Sequence, residues 1–310
     1  MCVHKYGLPI SIDLPKDFLK EETKCDVVVS AKLKKIWAVE LDLLKVFLDV
    51  CQANDIKVQV FAGTLLGAAR HKGFIPWDDD ADVCMDRNNF NKLLSLPRTA
   101  FPEPYFLQTP YNDQHYYTPF VRFRNSNTTG IIKWNNSSEY NNGIYIDVFV
   151  LDGKPNNFLE DFQCRLLAYS DSLIKRKNNS IQAKSNTHWR SYLASIICSI
   201  MSLNACIRIH QFLMSLCTPF VRRLTLMSHP KSFIAKYWLF KNELKDTILL
   251  DFEGLKVPAP KAYDSILTRI YGEYKRFPPA CERGKWHEGI IYFDPDTPYK
   301  QTFGKGFVWS

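Results

Sequence analysis

The chain has 310 residues, of which 46% are hydrophobic and 23% are charged. This balance excludes an intrinsically disordered chain and suits one large domain, or a domain with a helical appendage. The 40 basic residues outnumber the 32 acidic ones, for a formal net charge of +8. We therefore expect an anionic partner, such as a nucleotide, a phosphorylated glycan or a membrane surface. We expect no nucleic-acid partner, since no nucleic-acid-binding module is recognisable.

The cysteines and the N-terminal residues bear on the compartment. Nine cysteines, an odd number without any C-x-x-C pair, indicate neither a disulfide framework nor a zinc site. Reduced cysteines are typical of a reducing compartment, and the charged N-terminal residues predict no signal peptide. We therefore expect a cytoplasmic protein, with peripheral contact at the inner face of the cell membrane.

The first elements follow from hydrophobic periodicity. Residues 1–30 form a lead-in of mixed structure. Apolar residues then recur at helical spacing from Leu33 to Cys51, which predicts a core-facing helix of about five turns. Alternation from Ile56 to Phe61 predicts a strand. Arg87 to Leu96 suits a helix, which Pro97 would end.

The stretch from Phe61 to Asp86 reads FAGTLLGAARHKGFIPWDDDADVCMD and carries the strongest functional pattern. Gly63 and Thr64 follow the predicted strand and precede a short helix predicted over Leu65 to Arg70. A small turn between a strand and a helix presents backbone N–H groups and the positive end of the helix dipole. We therefore expect Gly63 and Thr64 to hold phosphate.

Four aspartates follow within five residues: Asp78, Asp79, Asp80 and Asp82. If Asp80 to Met85 is extended, Asp80 and Asp82 point to one side while the alternate residues face a core. Two carboxylates ~4 Å apart repel by roughly 4 kcal/mol at an effective dielectric near 20. A cluster of this kind beside a buried strand needs a cation, and oxygen ligands favour Mg²⁺ or Mn²⁺.

The acidic run also has other possible interpretations. A bare run of aspartates is usually a solvated turn, but here a Gly-Thr pair and an apolar strand flank it. An EF-hand loop would need glycine at Val83 and glutamate at Asn89, so that motif is excluded. The chain also lacks a Walker A motif, a G-x-G-x-x-G loop and an H-E-x-x-H helix.

A further acid lies in the strand predicted over Gly143 to Val150. Alternation places Asp147 on the side of Tyr145 and Phe149. A buried acid needs a partner or a function, so we expect Asp147 to complete the metal shell or to act as general base; the sequence leaves both open.

A strand predicted over Tyr117 to Arg124 puts two arginines, Arg122 and Arg124, on one face. Two interpretations carry equal weight. The pair could bind phosphate near the acidic site, or it could be an exposed pair on an edge strand.

The residues carry a resemblance to a known family. GTLLGAARHKGFIPWDDDAD resembles the signature of the LicD family of cholinephosphotransferase-like proteins, which includes fukutin-type enzymes. GIYIDVFVLDG around Asp147 resembles the family's third acidic strand. VPAPKAYDSILTRIYGEYKRFPP and the later His287 resemble its C-terminal pattern. The resemblance implies an α/β (α+β) fold with a nucleotidyltransferase-like mixed sheet, flanking helices and a helical insertion.

The resemblance also implies an activity. Family members transfer a phospho-alcohol group from a CDP-activated donor, such as CDP-choline, to a hydroxyl of a cell-surface glycan or glycolipid precursor. It implies catalytic roles for Asp80, Asp82 and Asp147. The expected metal ligands are Asp78, Asp80, Asp82 and Asp147. The expected substrate-binding residues are Gly63, Thr64, Arg70, Lys72, Arg122 and His287.

Two other functions stay open. A nucleotidyltransferase that moves a nucleotide from an NTP to a small-molecule or sugar acceptor would use the same carboxylates. A membrane-docking or glycan-binding module could retain a dead site, but the intact carboxylates argue against it.

The rest of the chain sets the expected domain organisation. Residues 31–155 form the predicted catalytic core, 156–247 a helical region, and 248–310 the part that completes the catalytic domain. The uncharged stretch from Ser191 to Ile207 is short for a membrane span. A buried helix is expected there first and an interfacial helix second. A strand pair over Ile248 to Val257 and a helix from Tyr263 to Tyr271, ended by Gly272, are also predicted.

Overall fold

The computed structural model describes residues 4–113, 115–116, 118–133, 138–177, 200–283 and 290–304. His287 and residues 191–199 lie outside these ranges, and so do the predictions made for them. The helices are α1 (Ala31–Ala53), α2 (Ala62–His71), α3 (Arg87–Ser95), α4 (Asn157–Lys177), α5 (Leu203–Ser215), α6 (Lys231–Lys236), α7 (Tyr263–Tyr271) and α8 (Tyr299–Gly304).

The strands are short apart from one. They are β1 (Glu22–Lys24), β2 (Val27–Val29), β3 (Gln59–Val60), β4 (Asp82–Asp86), β5 (Tyr105–Gln108), β6 (Val121–Asn125), β7 (Thr129–Ile132), β8 (Ile144–Gly153), β9 (Arg223–Thr225), β10 (Trp238–Phe240), β11 (Thr247–Phe252), β12 (Leu255–Pro260) and β13 (Ile290–Asp294). The predicted mixture of helices and sheet is confirmed.

The chain divides into two compact units. The first contains Met1–Gln108, Val121–Val150 and Asn242–Ser310, and the second contains Thr109–Phe120 and Leu151–Lys241. Within the first unit the strands follow the order β3–β4–β8–β6–β5. The β3–β4, β6–β8 and β5–β6 pairs are antiparallel. The long strand β8 therefore lies between the strand that carries Asp82 and the strand that carries Arg122.

Helix α1 forms where the sequence predicts it. The Ser30 side chain accepts a hydrogen bond from the Leu33 backbone N–H at 3.2 Å and caps the first turn. The core-facing residues Trp37, Leu44 and Phe47 are buried. Burial of each such side chain contributes roughly 1.5–3 kcal/mol, so this face fixes α1 in the core of the unit.

The strand predicted over Ile56 to Phe61 is regular only at Gln59–Val60. The reason lies in the backbone partners of its first residues. The Ile56 N–H donates to Cys51 O at 2.9 Å, and the Lys57 N–H donates to the Asn89 side chain at 2.9 Å. These groups close the end of α1 and bind α3, so they are not available to a sheet ladder.

Two other boundaries differ from the prediction. Helix α2 begins at Ala62 instead of Leu65, because Leu65 N–H already bonds to Phe61 O at 3.0 Å. Gly63 and Thr64 therefore lie inside its first turn. Strand β4 begins at Asp82, so Asp80 precedes the strand. The alternation argument applies to Asp82 but does not extend to Asp80.

The C-terminal predictions for the first unit are confirmed. Strands β11 and β12 pair across Glu253 and Gly254, whose φ angles of 46° and 84° make the tight turn. Helix α7 spans the predicted residues, and Gly272 follows it with φ 66°. Glycine adopts this backbone region without steric cost, which explains the stop.

The second unit is less purely helical than predicted for residues 156–247. Helix α4 packs against α5, and the Gln163 side chain donates to Leu213 O at 2.7 Å. The antiparallel pair of β9 and β10 also lies in this stretch. Strand β9 pairs with Asp152 and Gly153 at the end of β8. Because of this pairing, residues 223–225 are extended and not helical as predicted.

Candidate active site

The acidic loop is fixed from two sides. The Trp37 indole N–H donates to the Asp78 carbonyl at 2.9 Å, and the Trp37 ring stacks on Phe74 with centroids 4.8 Å apart. The Phe74 N–H in turn donates to a Glu253 carboxylate oxygen at 3.1 Å. A buried tryptophan that satisfies its N–H in this way is well ordered, so α1 and the β11–β12 turn hold the loop in position.

The N-terminus of α2 lies against the same loop. Thr64 Oγ1 accepts a hydrogen bond from the Asp82 backbone N–H at 2.7 Å, and the Phe61 N–H donates to Asp82 O at 3.0 Å. A Cβ atom on Gly63 would lie 2.8 Å from Asp78 Oδ2. Gly63 is therefore required for the close approach of a carboxylate, and Thr64 positions Asp82.

Backbone strain marks the start of α2. Ala62 has a φ angle of +44°, in the left-handed region that costs a non-glycine residue roughly 1–2 kcal/mol. Strained residues of this kind cluster at functional sites. The first N–H groups of the helix lack intrahelical acceptors, and the positive end of the dipole points toward the aspartates.

Asp147 completes the group from β8. Its backbone N–H donates to Ala81 O at 3.0 Å, which places it beside the start of β4. Its side chain, 14% exposed, accepts from Arg122 Nε at 2.7 Å. This ion-pair partner was not identified from the sequence, and it arises because the register places Arg122 directly opposite Asp147 on β6.

The two arginines of β6 have separate environments. Strand β6 lies between β5 and β8, so the alternative of an exposed edge-strand pair is wrong. Arg124 is fully buried and donates to Gln108 Oε1 and Gly143 O, which makes it part of the core. Arg122 reaches Asp147 and lies 4.1 Å from the Tyr145 ring centroid.

Glu40 is a site residue that the sequence analysis did not identify. It is 1% exposed, and its neighbouring charges are those of four aspartates: Asp79, Asp78, Asp82 and Asp147. Burial first, and these charges second, hold the pKa of Glu40 well above its usual range. A sequence signal existed, since Glu40 lies three residues after Trp37 and four after Ile36 on the apolar stripe of α1.

The same physics acts on the central aspartates. Burial and the charges of Asp147 and Asp78 raise the pKa of Asp82, against a lowering effect of Arg122. The pKa of Asp80 is also raised, by its dense protein surroundings first and then by Asp78 and Asp82. The Asp80 side chain nevertheless reaches solvent; the neighbouring charges act in the same direction, so the raised pKa stands. Like charges are thus concentrated in one place.

Two predicted substrate residues lie at the other end of α2. Arg70 and Lys72 are about 10–14 Å along the helix axis from Gly63. Arg70 donates to Tyr274 O at 2.8 Å and lies over the Phe277 ring. Lys72 is exposed and ends the helix in a left-handed conformation. Arg70 also lies 5.8 Å from the centroid of the Trp77 ring, and Trp77 directly precedes Asp78. The structure brings together Gly63, Thr64, Arg122 and the acidic residues, while substrate binding by Arg70 and Lys72 stays a prediction.

The donor chemistry fits a hard divalent cation. No group of three or more acidic, histidine or cysteine side chains in the described residues is gathered tightly enough to hold a metal ion by itself. Mg²⁺ commonly binds through one or two carboxylates, water and substrate phosphates, without an all-protein cage. The available donors are carboxylate oxygens, and those of Glu40 have no hydrogen-bond partner in the described structure. These residues suit a cation that arrives with a phosphate ligand.

Comparison with known proteins finds similarity over much of the chain. Residues 55–179 match the family model described as LicD/FKTN/FKRP, nucleotidyltransferase domain. The chain is 26% identical over 264 residues to the lipopolysaccharide cholinephosphotransferase LicD of Haemophilus influenzae, covering 82% of this chain and 96% of that protein. An uncharacterized protein of Rickettsia typhi is 37% identical over 76 residues, or 24% of this chain and 22% of its own length.

A second rickettsial relative matches a shorter stretch. An uncharacterized protein of Rickettsia prowazekii is 49% identical over 41 residues, or 13% of this chain and 15% of its own length. The resemblance drawn from the signature residues is thereby confirmed. The part of the chain that matches the LicD family model, residues 55–179, carries Asp78, Asp80, Asp82, Asp147 and Arg122.

Proposed function

We propose that this protein transfers a phospho-alcohol group, with phosphocholine as the first candidate, from a CDP-activated donor to a hydroxyl of a cell-surface glycan or glycolipid precursor. Similarity to the Haemophilus influenzae cholinephosphotransferase over most of both chains supports the reaction class. The carrying structural observation is the concentration of Asp82, Asp147 and Glu40 beside the N-terminus of α2. A diphosphate with its divalent cation would neutralise this site and bind to it.

The chain's own residues would divide the work as follows. Asp78, Asp80 and Asp82 would hold Mg²⁺ or Mn²⁺, which when bound neutralises the donor diphosphate and the departing nucleotide. Backbone N–H groups at the start of α2 would hold a phosphate oxygen. Arg122 binds the Asp147 carboxylate through Nε, and its charge would stabilise negative charge that accumulates on the transferred phosphoryl group.

The reaction balances with this set of residues. The acceptor hydroxyl oxygen attacks the phosphorus that carries the alcohol, and the bond from that phosphorus to the oxygen of CMP breaks. CMP leaves with the bonding electron pair. Asp147, as a general base, takes the proton of the acceptor hydroxyl. A role for Asp147 as metal ligand instead would leave that proton to water, and the two roles differ in their effect on donor binding.

The rival activity is nucleotide transfer from an NTP, which would release pyrophosphate. Phosphorus NMR separates the two reactions. Incubation with Mg²⁺, extracted glycolipid and CDP-choline, CDP-ribitol or CDP-glycerol should yield CMP from one donor, while CTP should yield no pyrophosphate. Asp82→Asn is the matched blank. Pyrophosphate release from CTP, without CMP release from any donor, would overturn the proposal.

We also propose peripheral contact with an anionic membrane surface through the second unit. Across the described helices, none combines the length and apolarity needed to cross a bilayer. Helix α4 nevertheless exposes Phe158 (79%), Phe162 (52%) and Tyr169 (41%), which share a face at helical spacing. Helix α5 exposes Ile209 and Phe212. Such apolar faces suit the interfacial region of a bilayer.

Charge complementarity favours an anionic surface as the occupant. Each acidic side chain of α4 is paired with a lysine: Glu160 with Lys154, Asp161 with Lys231, and Asp171 with Lys175. The basic residues of α4 and α5 are Arg165, Lys175, Arg176, Lys177 and Arg208. Attraction is worth about 1 kcal/mol per basic residue near the surface and fades beyond a Debye length.

Sedimentation with vesicles tests this contact. The protein should sediment with phosphatidylserine-containing vesicles at low salt, and salt should release it. Phe158→Ser with Phe162→Ser should abolish sedimentation. The control is Leu249→Ser, which removes an equally exposed apolar side chain (63%) from β11 in the first unit and should bind as wild type. Equal loss in the control, or no binding at low salt, would contradict the proposal.

A further inference from the structure

Glu40 is buried in a way that the fold alone does not explain. Neither of its carboxylate oxygens has a hydrogen-bond partner in the described structure, and its side chain is 1% exposed. A polar group in this state costs free energy unless it is bound by something. A buried carboxylate without a hydrogen-bond partner indicates a bound ion or another ligand.

The position of Glu40 points it at the acidic loop. Trp37 lies three residues earlier on α1, one helical turn away, and its indole donates to the carbonyl of Asp78. Residues three apart share a helix face. Asp79, Asp78, Asp82 and Asp147 are the charges that act on Glu40. Glu40 therefore approaches the site from α1, while the aspartates approach it from β4, its preceding loop and β8.

A matched residue shows what a purely structural acid looks like here. Asp42 lies two residues further along α1 and is 0% exposed. Its Oδ1 accepts from Ser11 N at 2.7 Å, Ser11 Oγ at 2.8 Å and Ile12 N at 3.1 Å, and its Oδ2 accepts from Tyr105 OH at 2.8 Å. Both oxygens of that carboxylate accept hydrogen bonds inside the protein, whereas neither oxygen of Glu40 has a hydrogen-bond partner in the described structure.

We infer that Glu40 is an additional carboxylate ligand of the divalent cation of the site, supplied by helix α1. Ionised carboxylates accept hydrogen bonds or bind cations, and the charges that act on Glu40 are those of four carboxylates. A hard cation with oxygen preference satisfies Glu40 and the aspartates together. The inference rests on the metal dependence in the proposed function, and it adds a residue to the site that the family signature does not contain.

Metal binding provides a readout that does not depend on turnover. Mn²⁺ is titrated into the protein with CDP present, and free Mn²⁺ is followed by electron paramagnetic resonance. Glu40→Gln keeps the shape and removes the charge, and it should weaken Mn²⁺ binding about 10-fold or more. Asp42→Asn is the matched control, and its folded form should bind Mn²⁺ within about 3-fold of wild type. Circular dichroism verifies folding of each variant.

The outcomes separate this inference from the proposed function. If Asp82→Asn loses Mn²⁺ while Glu40→Gln binds as wild type, the inference is wrong and the metal proposal stands. If wild type binds no Mn²⁺ with CDP present, both the metal proposal and the inference fail. Should Glu40→Gln not fold, Glu40→Asp takes its place, because it keeps the charge and shortens the reach by one methylene. Weakened binding then supports the inference, and wild-type binding overturns it.

Discussion

Two buried carboxylates of helix α1 have opposite surroundings. Asp42 anchors the lead-in segment by accepting four hydrogen bonds from Ser11, Ile12 and Tyr105. Glu40, two residues earlier on α1, has no hydrogen-bond partner in the described structure, and like charges act on it. Burial by itself therefore says little about a role. A buried acid that is fully hydrogen-bonded inside the protein stabilises the fold, whereas a buried acid without such bonds is a candidate to bind a ligand.

The largest expected effect is the difference in kcat between variants of the site aspartates and the Asp42→Asn variant. Asp80→Asn and Asp82→Asn should each lower kcat by about 1,000-fold, because a bound metal supplies several kcal/mol of charge stabilisation and each 1.36 kcal/mol is tenfold. Asp42→Asn should keep near wild-type kcat in its folded fraction. Phosphorus NMR of CMP release gives the rates. Near wild-type turnover in Asp82→Asn would remove it from the metal site.

Asp147 is intermediate between the two acids of α1, because it has an ion-pair partner, like a structural acid, and still lies in the candidate site. Asp147→Asn should lower turnover by at least ~100-fold, the low end for loss of a positioned base or ligand. Calorimetry of donor binding with Mg²⁺ separates the roles, since a base variant keeps donor affinity and a ligand variant loses it. Normal turnover would assign Asp147 to the salt bridge with Arg122 alone.

Stability should move in opposite directions for the two acids of α1. Asp42→Asn keeps one acceptor oxygen but replaces the oxygen that accepts from the Tyr105 hydroxyl with an N–H₂ donor. It should lower the free energy of unfolding by about 1–3 kcal/mol. Glu40→Gln imitates the protonated carboxyl and should raise it by about 1 kcal/mol in EDTA. Chemical denaturation measures both. A destabilised Glu40→Gln would place Glu40 with Asp42 among the structural acids.

The smallest effect is the pH dependence of that gain. Burial first and like charges second raise the pKa of Glu40 in the folded state, so its contribution to stability is complete below the unfolded pKa near 4. It is lost as pH rises through the folded pKa. The melting temperature of Glu40→Gln minus that of wild type, in EDTA, should therefore grow from pH 4 upward.

His71 contributes a pH dependence of stability opposite in sign to that of Glu40, so the variant must be compared with wild type at each pH. Burial, then Arg70 and Lys24, lower the pKa of His71 to about 4. Its contribution is present above about pH 6.5 and lost as pH falls toward 4. Because both proteins contain His71, its effect cancels in the difference. A flat difference curve would show that Glu40 does not titrate between the folded and unfolded states as described.

The sequence by itself determined the elements whose signals are local. Apolar spacing predicted α1, the strand pair over Ile248 to Val257 predicted the β11–β12 hairpin, and Pro97 predicted the end of α3. The acidic run, with its strand and its Gly-Thr pair, was sufficient to predict a catalytic region and to suggest the family. These patterns depend on residues within a few positions of each other, so they can be read along the chain.

Only the tertiary structure decided which side chains meet. Register across β6 and β8 gave Asp147 its partner Arg122 and buried Arg124. Helix α2 put Gly63 and Thr64 against the acidic loop and Arg70 and Lys72 at its other end, although the signature contains all of them within twenty residues. Glu40 and Asp42 differ by two positions in one helix, and a turn of about 200° sends one to the acidic loop and the other to Ser11 and Tyr105. Side-chain roles depend on contacts between distant segments, which spacing along one segment does not specify.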